Sequence, residues 1–412
     1  MRLTENVRNG SEINLKGVNL YMAQFEDIMT DVVEFRRDLH REPELSGEEY
    51  NTSKKIQQKL DEYGIRYKTG FAETGVLGII EGAKPGKTVG LRADIDALPI
   101  HEKADEDFKS EVDGKMHACG HDAHTAMLLG TARNLQARKD EIEGTVLLIF
   151  QPAEENSPTG GSQQMMDDGV FDEIEPDVLV AQHVWPGLPV GQFGVISGPM
   201  MGNSDRFKIT INGSGGHASM PHDTVDAIVA ANQVINSVQT IVSRNANPFD
   251  PAVITFGKIE GGYRYNVIAD EVTLEGTIRT QSNDMKDKVK RRFHEVVNGV
   301  TESMGATADI EYLDGYPATI NSPKWAERVR ETVVNQYGEE AAPPVTPSLG
   351  GEDFGRFLLN YPGVYYWLGT SIGEGQKPLH DPNFRLNEDG LSYGVNMMTR
   401  VAIDVLNDLK EA

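Results

Sequence analysis

Apolar positions along the chain change rhythm twice. They recur at helical spacing from about Met22 to Arg41 and from Glu48 to Tyr63. Apolar runs at Val76 to Glu81 and Thr88 to Leu91 then predict strands, Ala123 to Ala137 a helix, and Thr145 to Phe150 and Val178 to Ala181 two more strands. Strands alternating with helices are the rhythm of an α/β sheet. Between Arg206 and Leu313 the order becomes strand (Phe207 to Ile211), helix (Val225 to Val242), two strands (Val253 to Ile259, Val272 to Thr280), helix (Asp284 to Ser303) and strand (Thr307 to Tyr312). That β-α-β-β-α-β order predicts a ferredoxin-like α+β unit with its own sheet. A helix around Trp325 to Tyr337, a strand at Val364 to Leu368 and a last helix around Leu391 to Leu409 return the chain to the first sheet.

Turn-forming residues mark both seams, Ser197-Gly198-Pro199 before the insertion and Asp314-Gly315-Tyr316-Pro317 after it. The expected division is 1–200 with 315–412 as one domain and 201–314 as the other, in keeping with a length of 412 residues. With 63 acidic against 39 basic residues the net charge is -24, which repels nucleic acid and anionic membrane and excludes them as expected partners. Met1 to Leu20 is polar and no run reaches membrane-spanning length, so a cytoplasmic protein is expected. A single cysteine, Cys119, forms no internal disulfide and stays free as a thiolate ligand.

That cysteine lies in Lys-Met-His-Ala-Cys-Gly-His-Asp-Ala-His, residues 115–124, with three of the ten histidines. Cys119 and His121, two positions apart, can grip one transition-metal ion or straddle two. Alone, the pair also suits a small buried thiol and helix-capping histidines. Other polar groups change the picture. Glu154-Glu155 follows the run ending at Phe150, His183 follows the run ending at Ala181, and Asp94 and Asp96 follow the run ending at Leu91. Groups just past the carboxyl ends of strands converge on one crevice in an open α/β sheet. His380 can complete the set. Two adjacent glutamates on an extended segment point opposite ways, so one is expected to bind metal while the other faces water and substrate. Asp96 is expected to orient a ligand from behind. His40 is expected to fix the end of the first helix, and His117 and His124 to be structural. The glycines at 213, 215 and 216 lack the lysine of a phosphate loop and predict a tight turn presenting His217.

Several ordered blocks carry a resemblance from about Phe35 to the C-terminus. They include Arg36-Arg37-Asp38-Leu39-His40, Leu91-Arg92-Ala93-Asp94-Ile95-Asp96-Ala97-Leu98-Pro99, Met116-His117-Ala118-Cys119-Gly120-His121-Asp122, Gln151-Pro152-Ala153-Glu154-Glu155, Gly215-Gly216-His217-Ala218 and Gly351-Glu352-Asp353-Phe354. On these the chain resembles the aminoacylase, hippurate hydrolase and auxin-conjugate hydrolase branch of the co-catalytic metallopeptidases.

The resemblance implies a metallopeptidase-type α/β catalytic domain, a mixed sheet flanked by helices, with the inserted unit as a lid and dimerisation domain. It implies a metal-dependent amidohydrolase that cleaves N-acyl amino acids, a small-molecule substrate, and a homodimer or higher homo-oligomer. Two divalent ions are expected on Cys119, His121, Glu155, His183 and His380, with Glu154 as the general base. A thiolate with imidazoles suits zinc or nickel, while the branch is associated with manganese or cobalt. Relatives outside the branch carry a metal-binding histidine where this chain has Asp94, which leaves the pairing of ligands with ions open. His217 matches an oxyanion-holding histidine, and Asn266 and Arg279 match residues that recognise the substrate carboxylate. By their own chemistry Asn266 can equally shape a turn and Arg279 pair with a surface acid. The alternatives are a dipeptidase or carboxypeptidase using the same metals, or a non-catalytic metal-binding or redox-sensing protein on the same fold.

Overall fold

The computed structural model describes residues 15–410, so part of the polar segment Met1 to Leu20 lies outside the described residues. Seven strands form one mixed sheet in the order Arg66–Phe71, Gly75–Glu81, Glu143–Gln151, Lys84–Asp94, Val178–Pro189, Gly363–Ser371, Phe193–Gly194. The four central strands run parallel, and the outer pairs are antiparallel. Helices cover both faces, which is why the central strands read as continuous apolar runs. Val146, Leu148, Val178 and Val180 join the core under the helices Leu15–Arg41, His121–Ala137 and Asp389–Lys410. Their neighbours Leu147, Ile149, Leu179 and Ala181 pack on the other face with Phe354, Phe357 and Trp367.

Two strands extend beyond their apolar runs. Lys84–Asp94 ends on Asp94, and Val178–Pro189 carries His183 within it, where Trp367 stands opposite. The sequence placed His183 after its strand. Pairing with Gly363–Ser371, up to Ser371 opposite Pro189, keeps the backbone extended through these polar residues.

The inserted unit has a separate core and the expected element order. Its antiparallel sheet runs Ala252–Gly261, Glu271–Thr280, Asp205–Asn212, Thr307–Leu313. Helices Ala227–Thr240 and Asn283–Ser303 cover one face and enclose Phe207, Ile209, Leu274 and Phe293. Asp226 and Ser282 cap them by accepting backbone N–H groups of Ile228 and Met285. The glycine-rich stretch forms more than a turn: Gly216–His217 pairs with Val267–Ile268. Entry and exit of the unit touch, with the Ser204 N–H donating to the Tyr316 carbonyl at 3.2 Å. No described helix is long and apolar enough to cross a membrane.

Candidate metal centre

His183 Nδ1 donates to the Val184 carbonyl at 2.7 Å, which leaves the Nε2 lone pair 3.5 Å from Cys119 Sγ. The next residue after Cys119, Gly120, has φ +84° and opens the helix His121–Ala137. A Cβ there would stand 2.5 Å from Val184 Cγ2, so only glycine lets the Cys119 turn approach the His183 strand. His121, first in that helix, has Nδ1 2.9 Å from the Asp96 carbonyl and 3.1 Å from Asp96 Oδ1. Asp96 Oδ2 accepts the Ser46 hydroxyl at 2.6 Å and the Glu155 N–H at 2.9 Å. The His380 N–H donates to the Ala118 carbonyl at 2.9 Å, and its Nε2 lies 3.1 Å from Glu155 Oε1.

The five residues expected as ligands form two overlapping triads. Cys119, His121 and His183 make one, and Cys119, Glu155 and His380 the other, each with its donor atoms within 4.8 Å of one another. Cys119 belongs to both. His121 Nε2 is buried with no hydrogen-bond partner among the described residues, a cost that a bound cation removes. Burial, with Glu155 and Glu154 nearby, pushes the Cys119 thiol well up. A cation reverses that preference by stabilising the thiolate. Thiolate, imidazole and carboxylate donors in two adjoining triads fit two divalent ions.

Glu154 and Glu155 do not lie on an extended segment. They sit in a turn entered through Ala153 at φ +56°, and both carboxylates come within 4.8 Å of His121. Alternation along a strand therefore does not separate them; their neighbours do. Glu155 meets His380 and Cys119, while Glu154 meets Glu352 and Asp353. The Glu154 backbone is tied down by the Tyr316 hydroxyl, which donates to its carbonyl at 2.6 Å. Burial first, then the charges of Glu352, Glu155 and Asp353, push the Glu154 carboxyl well above the usual range.

Behind this wall lies a buried network that the sequence reading left without roles. Arg92 donates to Asp94 Oδ2 at 2.7 Å and Asp353 Oδ1 at 2.9 Å, and stands 3.0 Å from Glu352 Oε1. Asp94 Oδ1 meets His124 Nδ1 at 2.5 Å, and His124 Nε2 accepts the Val184 N–H at 2.9 Å. Asp94 is thus engaged by Arg92 and His124, and His124 braces the strand of His183. Glu352 and Asp353 stood in a quoted motif; only the fold reveals that they face Glu154. His40 reaches further than a helix end, with Nδ1 2.8 Å from Asp122 and Nε2 3.2 Å from Glu102.

A cavity of about 460 Å³ lies between this centre and the open face of the inserted sheet, a size suited to a small molecule. Cys119, Glu154, Glu155, His183 and His380 line it from the large sheet's side, and Arg279 from the inserted unit. His217 and Asn266 do not line it. His217 is exposed on its two-residue strand with Nδ1 2.7 Å from the Ser219 hydroxyl, and Asn266 bonds to the same segment through its carbonyl, 3.2 Å from the Ala218 N–H.

Residues 90–404 match peptidase family M20/M25/M40. The chain is 40% identical over 383 residues to thermostable carboxypeptidase 2 of Saccharolobus solfataricus, covering 91% of this chain and 95% of that one. It is 38% identical over 382 residues to N-acetylcysteine deacetylase of Bacillus subtilis, covering 92% and 98%. Among solved structures it is similar to a dinuclear metal-binding peptidase of the M20 family from Bacillus subtilis, at a TM-score of 0.82 and 35% identity over 93% of this chain and 99% of that one. The match spans both the large sheet and the inserted unit, and the chain belongs to peptidase family M20/M25/M40.

Proposed function

We propose that this protein is a metal-dependent amidohydrolase that releases a carboxylate and a free amino acid from N-acyl amino acids. The observation that carries the reading is a buried carboxylate, Glu154, beside a complete donor set. A protein that only stores or senses metal needs no base there. Cys119, His121, Glu155, His183 and His380 would hold two divalent ions, of manganese, zinc, cobalt or nickel. When bound, the ions lower the pKa of a water and polarise the scissile carbonyl. Glu154 takes the water's proton and delivers it to the leaving amine. Asp96 positions His121 and the Glu155 backbone. Arg279 binds the substrate carboxylate, and the lone thiol in its reduced state suits the cytoplasm.

Residues 201–314 act as lid and dimerisation domain on a catalytic domain of 1–200 and 315–412. In a single chain His217 and Asn266 stand outside the cavity, so a second copy supplies them, His217 to the oxyanion and Asn266 to the substrate. Exposed Tyr263, Tyr265 and Val267 flank Asn266 along the chain and offer apolar surface for a homodimer to cover. Similarity to both a deacetylase and a carboxypeptidase keeps peptide substrates as the second reading.

The test is amine release from acetyl, benzoyl and longer-chain acyl amino acids, with dipeptides alongside, before and after chelation. The expected result is turnover of acyl amino acids that chelation abolishes and divalent metal restores. Dipeptides cleaved faster than every acyl amino acid would make the protein a peptidase, and no turnover by fully metal-loaded protein would make it a binder.

A further inference from the structure

Two arginines face the cavity from the open side of the inserted sheet. Arg206 lies on Asp205–Asn212 and Arg279 on Glu271–Thr280, and Arg206 pairs in register with Thr277. Arg279 is therefore the diagonal neighbour of Arg206 on the same face, within reach of a long side chain. Two like charges at that spacing repel each other. Burial first, then the charge of Arg206, lowers the Arg279 pKa. Elsewhere on this sheet cations meet acids, Lys208 with Glu311 at 3.8 Å and Lys258 with Glu275 at 3.3 Å. Among the described residues neither Arg206 nor Arg279 has a carboxylate within 4.0 Å. Both guanidiniums line the same cavity without a carboxylate partner among the described residues. Arg206 also donates to the Ser157 carbonyl, just beyond the Glu154–Glu155 turn, which fixes its head group at the cavity rim.

One carboxylate occupies one guanidinium fork in a bidentate pair. Arg279 with the α-carboxylate leaves Arg206 for a second anion. We propose that the preferred substrates are N-acyl derivatives of dicarboxylic amino acids, with Arg206 binding the side-chain carboxylate; this rests on the acyl amino acid reading above. Both arginines come from one sheet, so both anions belong to the amino acid half of the substrate rather than to the acyl group.

The test compares kcat/KM of the metal-loaded enzyme for N-acetylglutamate, N-acetylaspartate, N-acetylleucine and N-succinylleucine, in the wild type and in Arg206→Gln, Arg206→Lys and Arg206→Glu. The wild type is expected to favour an acidic amino acid over leucine. Arg206→Gln should lower that ratio by about tenfold to a hundredfold, the loss of a charge-assisted hydrogen bond. Arg206→Lys should keep part of it, and Arg206→Glu should reverse it. Arg206 is exposed, so these variants keep the core intact. A wild-type preference for leucine, or for N-succinylleucine over N-acetylglutamate, overturns the proposal. So does an equal loss on acidic and neutral substrates, which would make Arg206 a latch to the Ser157 loop. Failure to cleave any acyl amino acid would instead remove the function proposed above, and this inference with it.

Discussion

The backbone N–H of Glu155 donates to Asp96 Oδ2 at 2.9 Å. The other oxygen of the same carboxylate stands 3.1 Å from His121 Nδ1, so one buried acid sets the position of two candidate ligands. Burial works against its charge, but the hydrogen bonds from His121 and Ser46 hold the Asp96 pKa below the usual carboxylate range.

Asp96→Asn removes that charge at nearly constant volume. Metal affinity should fall by about tenfold to a hundredfold, as when other groups that orient metal-bound imidazoles are replaced. Titration against a competing chelator measures it. Unchanged affinity would show that His121 and Glu155 are positioned without Asp96.

The two glutamates should separate on substitution. Glu154→Gln should keep its metal and lose turnover by at least about 10²- to 10⁴-fold, the range for general acid-base assistance. Glu155→Gln should bind less metal and recover part of its rate when metal is added in excess. Metal analysis beside kcat reads both. The opposite pattern means the roles are exchanged.

If a second copy supplies His217, two inactive variants can complement each other. Mixing Glu154→Gln with His217→Ala subunits should restore part of the activity, because some hybrid dimers then contain one complete site. Absence of recovery after demonstrated subunit exchange would require a site built within one chain.

His40 makes stability depend on pH. Burial lowers its pKa, but Asp122 and Glu102 outweigh this and raise it from 6.5 to about 8. A raised folded-state pKa stabilises fully below pH 6.5 and the effect disappears as pH rises through about 8, a change of about 2 kcal/mol. Unfolding free energies at pH 6 and pH 9 should therefore fall by that much more in the wild type than in His40→Gln. Equal falls would show that His40 is already neutral at pH 6.

The order of elements was legible because each is amphipathic or continuously apolar over its own length. The candidate donors came from the motif resemblance as much as from residue chemistry, and the fold brings the five side chains into two adjoining groups. What the sequence hid were relationships set by distant partners. His183 lies inside a strand because residues from Gly363 onward pair with it, and the two glutamates share one turn that a strand pattern does not foresee. Arg92 stood in a quoted motif without a role; its neutralisation of Asp94, Glu352 and Asp353 depends on acids up to 261 positions away. His217 matched a motif and Asn266 an expected position, yet within one chain the fold leaves both outside the cavity.

The parallel pairing of Val178–Pro189 with Gly363–Ser371 also fixes an order of events during synthesis. The whole inserted unit emerges between the two strands and carries its own core, so it can close while the strand of His183 still has an open edge. Contacts so distant in sequence form late because their loop must be closed first. His380 emerges later still. The ferredoxin-like unit is thus translated in full before Gly363–Ser371 and before His380, the last of the five candidate ligands in the chain.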